Sequence, residues 1–229
     1  MTPEAALAAL VERQDAIRAE GSAAYHKAPR RYLGVSVPDL TEMVKSWRAD
    51  LDVPGRVTLA DALWRSDIHE ARIAAAKLLT QAGIKEDEAV WRLIASWVPE
   101  FDAWAIADHA CDAGERRLVA HPSRIDEVER WTHSGQMWTR RAALVITLPW
   151  TKQNHPSAQD LAIRDRVLGW AAVYADDRNW FIQKAIAWWL RDLSKHDEPR
   201  VRDWLAAHGS RLKPFARKIA AKYVSTGAA

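Results

Sequence analysis

Apolar positions recur at helical spacing along the whole chain. Leu40, Met43, Val44 and Trp47 fall at i, i+3, i+4 and i+7, one stripe of a 3.6-residue period. Ile182, Ile186, Trp189 and Leu193 form a second stripe at i, i+4, i+7 and i+11. Ser36 followed by Pro38 reads as a helix start, and Gly83, Pro99, Gly114, Pro122, Gly135, Pro156 and Gly209 read as breaks. The pattern predicts helices over 4–20, from 36 onward, and over 57–64, 68–82, 87–98, 102–113, 123–132, 136–148, 159–174, 179–193, 198–208 and 211–224. No alternating run reads as a strand, and 142–148, the most strand-like stretch, continues a helical pattern with equal ease. About a dozen short helices on short connections pair antiparallel. Their repeat of roughly 35–40 residues lies in the range of HEAT-like α-solenoids. The expectation is an all-α, HEAT-like array of antiparallel helix pairs forming one domain over 1–229, with function on its concave surface.

Composition sharpens this. With 229 residues, 48% hydrophobic and 28% charged, the chain is long and apolar enough for a sizeable core. No apolar run approaches the ~20 residues of a membrane span, and the start lacks a basic region followed by a long apolar stretch. Cys111 is the single cysteine, so no internal disulfide forms, and a reduced, cytoplasmic setting is expected. Tryptophan is the unusual count, with 13 against 4 Tyr and 3 Phe. A buried indole N–H needs a partner, so some of the 13 should stand at surfaces or interfaces. Charge is uneven too. Residues 200–229 hold seven cations and one carboxylate, a net +6, against −3 for the remainder. Such an end suits a phosphate-bearing partner, although a solvated helix face gives the same count.

Several side chains are not explained by a packing stripe. On the helix from 102, Ala103, Ile106, Ala107 and Ala110 make the apolar face, while Trp104 and Asp108 share another face at i and i+4. An indole bonded to a carboxylate inside a repeat interface would look the same. On the helix from 179, Trp189 joins the core stripe, whereas Trp188 lines up with Phe181, Lys184 and Arg191. Aromatic and cationic groups in alternation suit nucleic acid, and equally suit cation–π pairs within the protein. Arg141 has Met137 and Leu144 as one-turn neighbours and calls for a carboxylate or a phosphate. His69-Glu70 has no second His four residues on, and His109, Cys111 and His121 lack metal-site spacing. No Gly-rich phosphate loop, nucleophile elbow or CxxC occurs. Neither a metal nor a cofactor is expected.

At these positions the sequence resembles the DNA alkylation repair enzyme family, the AlkD-like HEAT-repeat DNA glycosylases, over nearly its whole length. Tyr32-Leu-Gly-Val-Ser-Val-Pro38 resembles the family's Leu-Gly segment, and Leu63-Trp-Arg-Ser-Asp-Ile-His-Glu70 its Leu-Trp…Glu helix start. Trp104-Ala-Ile-Ala-Asp108 matches the Trp-x-x-x-Asp signature, although the residue after the Trp, often Asp in the family, is Ala105. Trp138-Thr-Arg-Arg-Ala-Ala143 matches the segment with a functional arginine, which falls on Arg141. Phe181 to Arg191 places a second functional tryptophan at Trp188. The resemblance implies a right-handed α-solenoid with a concave DNA-binding face. It implies hydrolysis of the N-glycosidic bond of cationic N3- or N7-alkylpurines in duplex DNA, by a monomer without metal or cofactor. Asp108, Trp104, Trp188 and Arg141 are then the reaction residues, and Arg140, Lys184, Arg191, Lys213, Arg217, Lys218 and Lys222 the DNA contacts. A glycosylase would work in the cytoplasm, associated with the nucleoid when bound to DNA. A non-catalytic HEAT-repeat module that binds damaged or distorted DNA is the alternative.

Overall fold

Thirteen α-helices, short 3-10 turns and no strand make up the regular structure of the described residues, 1–225, in the computed structural model. The last four positions of the expected 1–229 domain lie outside the described residues. The chain forms two compact units, Met1–Ala120 and His121–Ala229. No helix among the described residues is long and apolar enough to cross a membrane.

The first unit contains α1 (Pro3–Glu12), α2 (Ala16–His26), α3 (Val37–Ala49), α4 (Val53–Arg65), α5 (His69–Leu79), α6 (Glu88–Trp97) and α7 (Trp104–Ala120). Where the pattern predicts one helix over 4–20, there are two. The Asp15 carboxylate accepts from the Arg18 N–H at 2.9 Å as an N-cap, and its own N–H donates to the Leu33 carbonyl at 2.8 Å, so the chain turns there. Helix α2 then runs through Gly21 to His26 with none of its residues buried, so the helix cost of glycine is simply absorbed there. Helix α7 instead runs through a buried Gly114, where tertiary packing outweighs that cost. Ser36 does cap α3, accepting from the Asp39 N–H. The centre of the unit is α5, where ten of eleven residues are buried and a run of alanines lets α3, α4 and α7 approach closely. Trp64 and Trp97 stack at 4.3 Å as a wedge beside it.

The second unit contains α8 (Ile125–Trp131), α9 (Met137–Val145), α10 (Ala158–Tyr174), α11 (Trp180–Leu193), α12 (Glu198–His208) and α13 (Pro214–Ala220). Here α11 is central, packing on α9, α10, α12 and α13. Its stripe Ile182, Ile186, Trp189 and Leu193 is completely buried, and the Trp189 indole N–H donates to Thr147 Oγ1 at 3.2 Å.

Eight of the 13 tryptophans are buried: 47, 64, 91, 97, 150, 170, 189 and 204. Their N–H groups mostly find acceptors. Trp64 donates to Glu100, Trp150 to Asp160, Trp170 to Glu129 and Trp204 to the Leu168 carbonyl, at 2.8–3.0 Å. Buried arginines do a complementary task at the loops. Arg117 donates to the carbonyls of Gln81, Ala82 and Ile84, and Arg164 to those of Trp150 and Gln153. Each thereby satisfies loop acceptors that the short connections would leave unpaired.

Candidate functional site

The start of α7 is built on the packing face expected for it. Ala103, Ile106, Ala107 and Ala110 are at most 2% exposed, Trp104 is 36% exposed, and Asp108 is half-buried one turn later. Ala105, at the family's frequent Asp position, is 8% exposed and belongs to the buried face.

Three loops are tied together beneath this corner. Arg30, whose side chain is 3% exposed, pairs with Asp102 and, at 3.4 Å, with Asp67. Arg72 pairs with the same Asp67 at 3.2 Å and with Glu100 at 3.1 Å, while lying 4.6 Å over the Trp64 ring. Asp102 and Glu100 sit directly before α7, so this network fixes the helix start. Both oxygens of the buried Glu70 carboxylate accept backbone N–H groups, from Leu33 at 2.9 Å and Gly34 at 2.8 Å. Gly34 has φ +76°, and a Cβ there would meet the Asp15 carbonyl oxygen at 2.2 Å. The Leu-Gly segment thus has a steric reason: the loop passes against the start of α2 where no side chain fits.

Trp104 rests on an aromatic and imidazole cluster. Tyr25, 69% exposed, meets it edge-on at 6.2 Å, and His26 meets it at 5.5 Å. His26 in turn contacts His69 at 4.5 Å and lies parallel to Tyr32 at 6.3 Å. Burial pushes the His26 imidazole below its ordinary value. Burial, followed by the charges of His26, Arg30 and His109, pushes His69 down to about 3. His109 falls to about 4 through burial and Lys77, with Asp108 opposing. At neutral pH the corner therefore holds uncharged imidazoles, an exposed indole and a carboxylate.

On α11, Trp188 is half-buried, and its N–H donates to Asp192 at 2.9 Å. The sequence stripe pairs Trp188 with cations; its actual partner is this carboxylate, one turn on. Asp192 also accepts from Arg191 at 3.0 Å and from Lys195 at 3.2 Å. Burial alone raises its pKa, but Arg191 and Lys195 outweigh that and hold the carboxyl below its usual range. Arg191 is thus engaged internally. Arg141 is 4% exposed, with its guanidinium 5.7 Å from the Trp138 ring centre. Arg140, expected as a DNA contact, pairs with Asp177 at 3.0 Å and donates to the Ser134 and Gly135 carbonyls, which is a loop-closing role.

Sequence reasoning missed part of this surface. Trp138 contacts Phe181 at 4.6 Å, and Trp180, 46% exposed, stacks on Phe215 at 5.9 Å with Lys184 Nζ 4.7 Å from its centre. The signal was the Trp180-Phe181 pair, where adjacent rings point about 100° apart on a helix, so both cannot enter one core. The basic end also divides. Arg200, Arg202 and Arg211 pair with Asp165, Glu198 and Asp176. Among the described residues no ion pair involves Lys184, Lys213, Arg217, Lys218 or Lys222. Of these, Lys184, Arg217, Lys218 and Lys222 are exposed.

No curated protein matches the chain. The family model described as DNA alkylation repair enzyme matches residues 6–224. Among solved structures, one described as "Predicted DNA alkylation repair enzyme from Enterococcus faecalis" has a TM-score of 0.78 at 19% identity, covering 94% of this chain and 98% of that one. Another, described as "X-ray crystal structure of AlkD2 from Streptococcus mutans", has a TM-score of 0.60 at 18% identity, covering 83% and 91%. At such identities the two structures establish a shared all-α fold. With the family model matched over nearly the whole length, the chain belongs to the DNA alkylation repair enzyme family.

Proposed function

We propose that the protein is a monofunctional DNA glycosylase acting on positively charged N3- or N7-alkylated purines in duplex DNA. The observation that carries this reading is the start of α7: an exposed indole followed one turn later by a carboxylate, on a helix end held by two buried arginines paired with partly exposed carboxylates. A cationic base is already a good leaving group. As its C–N bond breaks, the electron pair moves onto the base and neutralises it, and positive charge develops on the deoxyribose. Asp108 stabilises that charge and orients the attacking water, whose oxygen bonds to the sugar carbon while its proton passes to the carboxylate or to solvent. Trp104 adds cation–π attraction to the charged base and sugar. By the family resemblance, Trp188 is assigned to the lesion and Arg141 to a backbone phosphate. Lys184, Lys213, Arg217, Lys218 and Lys222 supply salt-dependent affinity. The protein works as a monomer in the cytoplasm, on the nucleoid when bound.

Release of alkylated base from methylated duplex DNA tests this. Wild type should release 3-methyladenine or 7-methylguanine, and Asp108→Asn should release about 100-fold less, the range found when one transition-state partner is removed. A second reading, a binding module without catalysis, draws on the cationic residues around the exposed Trp180. It predicts salt-dependent binding to alkylated duplexes with no base release.

A further inference from the structure

The imidazole beneath Trp104 is unexplained by the roles above. His26 touches Trp104, His69, Tyr25 and Tyr32, so its ring connects the exposed indole to the interior of the unit. Among the described residues the Nδ1 atoms of both His26 and His69 are buried without a hydrogen-bond partner. A protonated ring carries N–H on both nitrogens, and here one of them would have no acceptor. The pocket is thus built for an uncharged ring, yet the ring it holds is titratable.

We propose that His26 is a positioning residue for Trp104: uncharged, it holds the indole as a neutral aromatic plate for a cationic base, and protonated, it closes that plate to the base. The inference rests on the glycosylase reading for the identity of the cation. The argument is electrostatic. An aromatic face attracts one cation through its quadrupole, and an imidazolium 5.5 Å away takes that attraction for itself and repels a second cation.

The surroundings leave this charge without compensation. On its own helix His26 neighbours Tyr25. From the following loop it faces Tyr32, with Arg30 already paired to Asp67 and Asp102. From α5 it faces His69, which stays uncharged until about pH 3. On α7 it faces Trp104, with Asp108 and His109 one turn further on. His109 stays uncharged until about pH 4. Of the three imidazoles, His26 is the one in ring contact with Trp104, and burial holds it below its ordinary value.

Two readouts on the full chain test the proposal. Tryptophan emission is followed from pH 8 to 5 in wild type, His26→Phe and Trp104→Phe, since an imidazolium quenches a neighbouring indole. Wild type should show a quench as pH falls below 6.5 that exceeds the one both variants keep from His208 beside Trp204 at 5.0 Å. In parallel, kcat for 7-methylguanine release should fall through the same range in wild type. At pH 7.5, His26→Ala should lose about tenfold in kcat with KM within twofold, and His26→Phe should restore most of that loss without the acid decline. A quench as large in His26→Phe as in wild type, or an unchanged kcat in a folded His26→Ala, overturns the proposal. If wild type releases no base at all, the glycosylase reading fails, while the emission titration still decides the role of His26.

Discussion

Helices α7 and α11 carry the same local pattern, a tryptophan and an aspartate one turn apart, in different surroundings. On α11, Asp192 is 8% exposed and occupied by the Trp188 N–H, Arg191 and Lys195. On α7, Trp104 is the exposed partner, Asp108 is half-buried, and the indole leans on Tyr25 and His26. Spacing places both pairs on one helix face, and burial then separates their tasks. The α11 carboxylate anchors its tryptophan, while the α7 indole is anchored from below by rings.

The largest expected effect tests the anchored side. Trp189→Ala, one residue beyond Trp188 and completely buried, should cost about 3–5 kcal/mol in urea unfolding, as large aromatic truncations do. Trp104→Ala should cost less than about 1 kcal/mol because the ring is already partly in water. Equal losses would erase the distinction between the helices.

Asp192→Ala comes next, at about 1.5–3 kcal/mol, because it leaves the Trp188 N–H and two cations without their shared acceptor. Gly34→Ala should cost about 1–3 kcal/mol, since the left-handed φ and the Asp15 carbonyl both exclude a methyl group. Circular dichroism melts on the two variants read both.

A pH slope sharpens the comparison from another side. His69 has a native pKa of about 3 against 6.5 when unfolded, so below pH 6.5 the unfolded chain binds the extra proton. Stability is therefore complete above pH 6.5 and falls as pH drops toward 3. His109, at about 4, acts in the same direction. His69→Phe should flatten the decline between pH 6.5 and 4 in urea melts, while Asp192→Ala should leave its slope in that window unchanged.

The helical fold was legible because apolar spacing survives every loop, and the α11 stripe and the α7 packing face were read residue by residue. Boundaries failed where tertiary contacts overrule local signals: Asp15 splits the first helix by capping, and Gly114 sits inside α7. The prominence of Trp104 was visible from its position off the stripe. Its support was not, because Tyr25, His26 and His69 come from two other helices and meet only in the folded unit. The Trp188–Asp192 bond was not read, because helical spacing lines Trp188 up equally with Lys184, Arg191 and Asp192. Arg140 was read as a DNA contact, and its pairing with Asp177 was not legible because that carboxylate lies 37 positions further on.

The central claim concerns the α7 carboxylate. Base release from methylated duplex DNA, measured for wild type, Asp108→Asn and Asp192→Asn at matched folded fraction, tests it directly. The account predicts release by wild type, a loss of about 100-fold in Asp108→Asn with DNA affinity within threefold, and less than about tenfold in Asp192→Asn. Equal rates for wild type and Asp108→Asn, or no release by wild type, would contradict it.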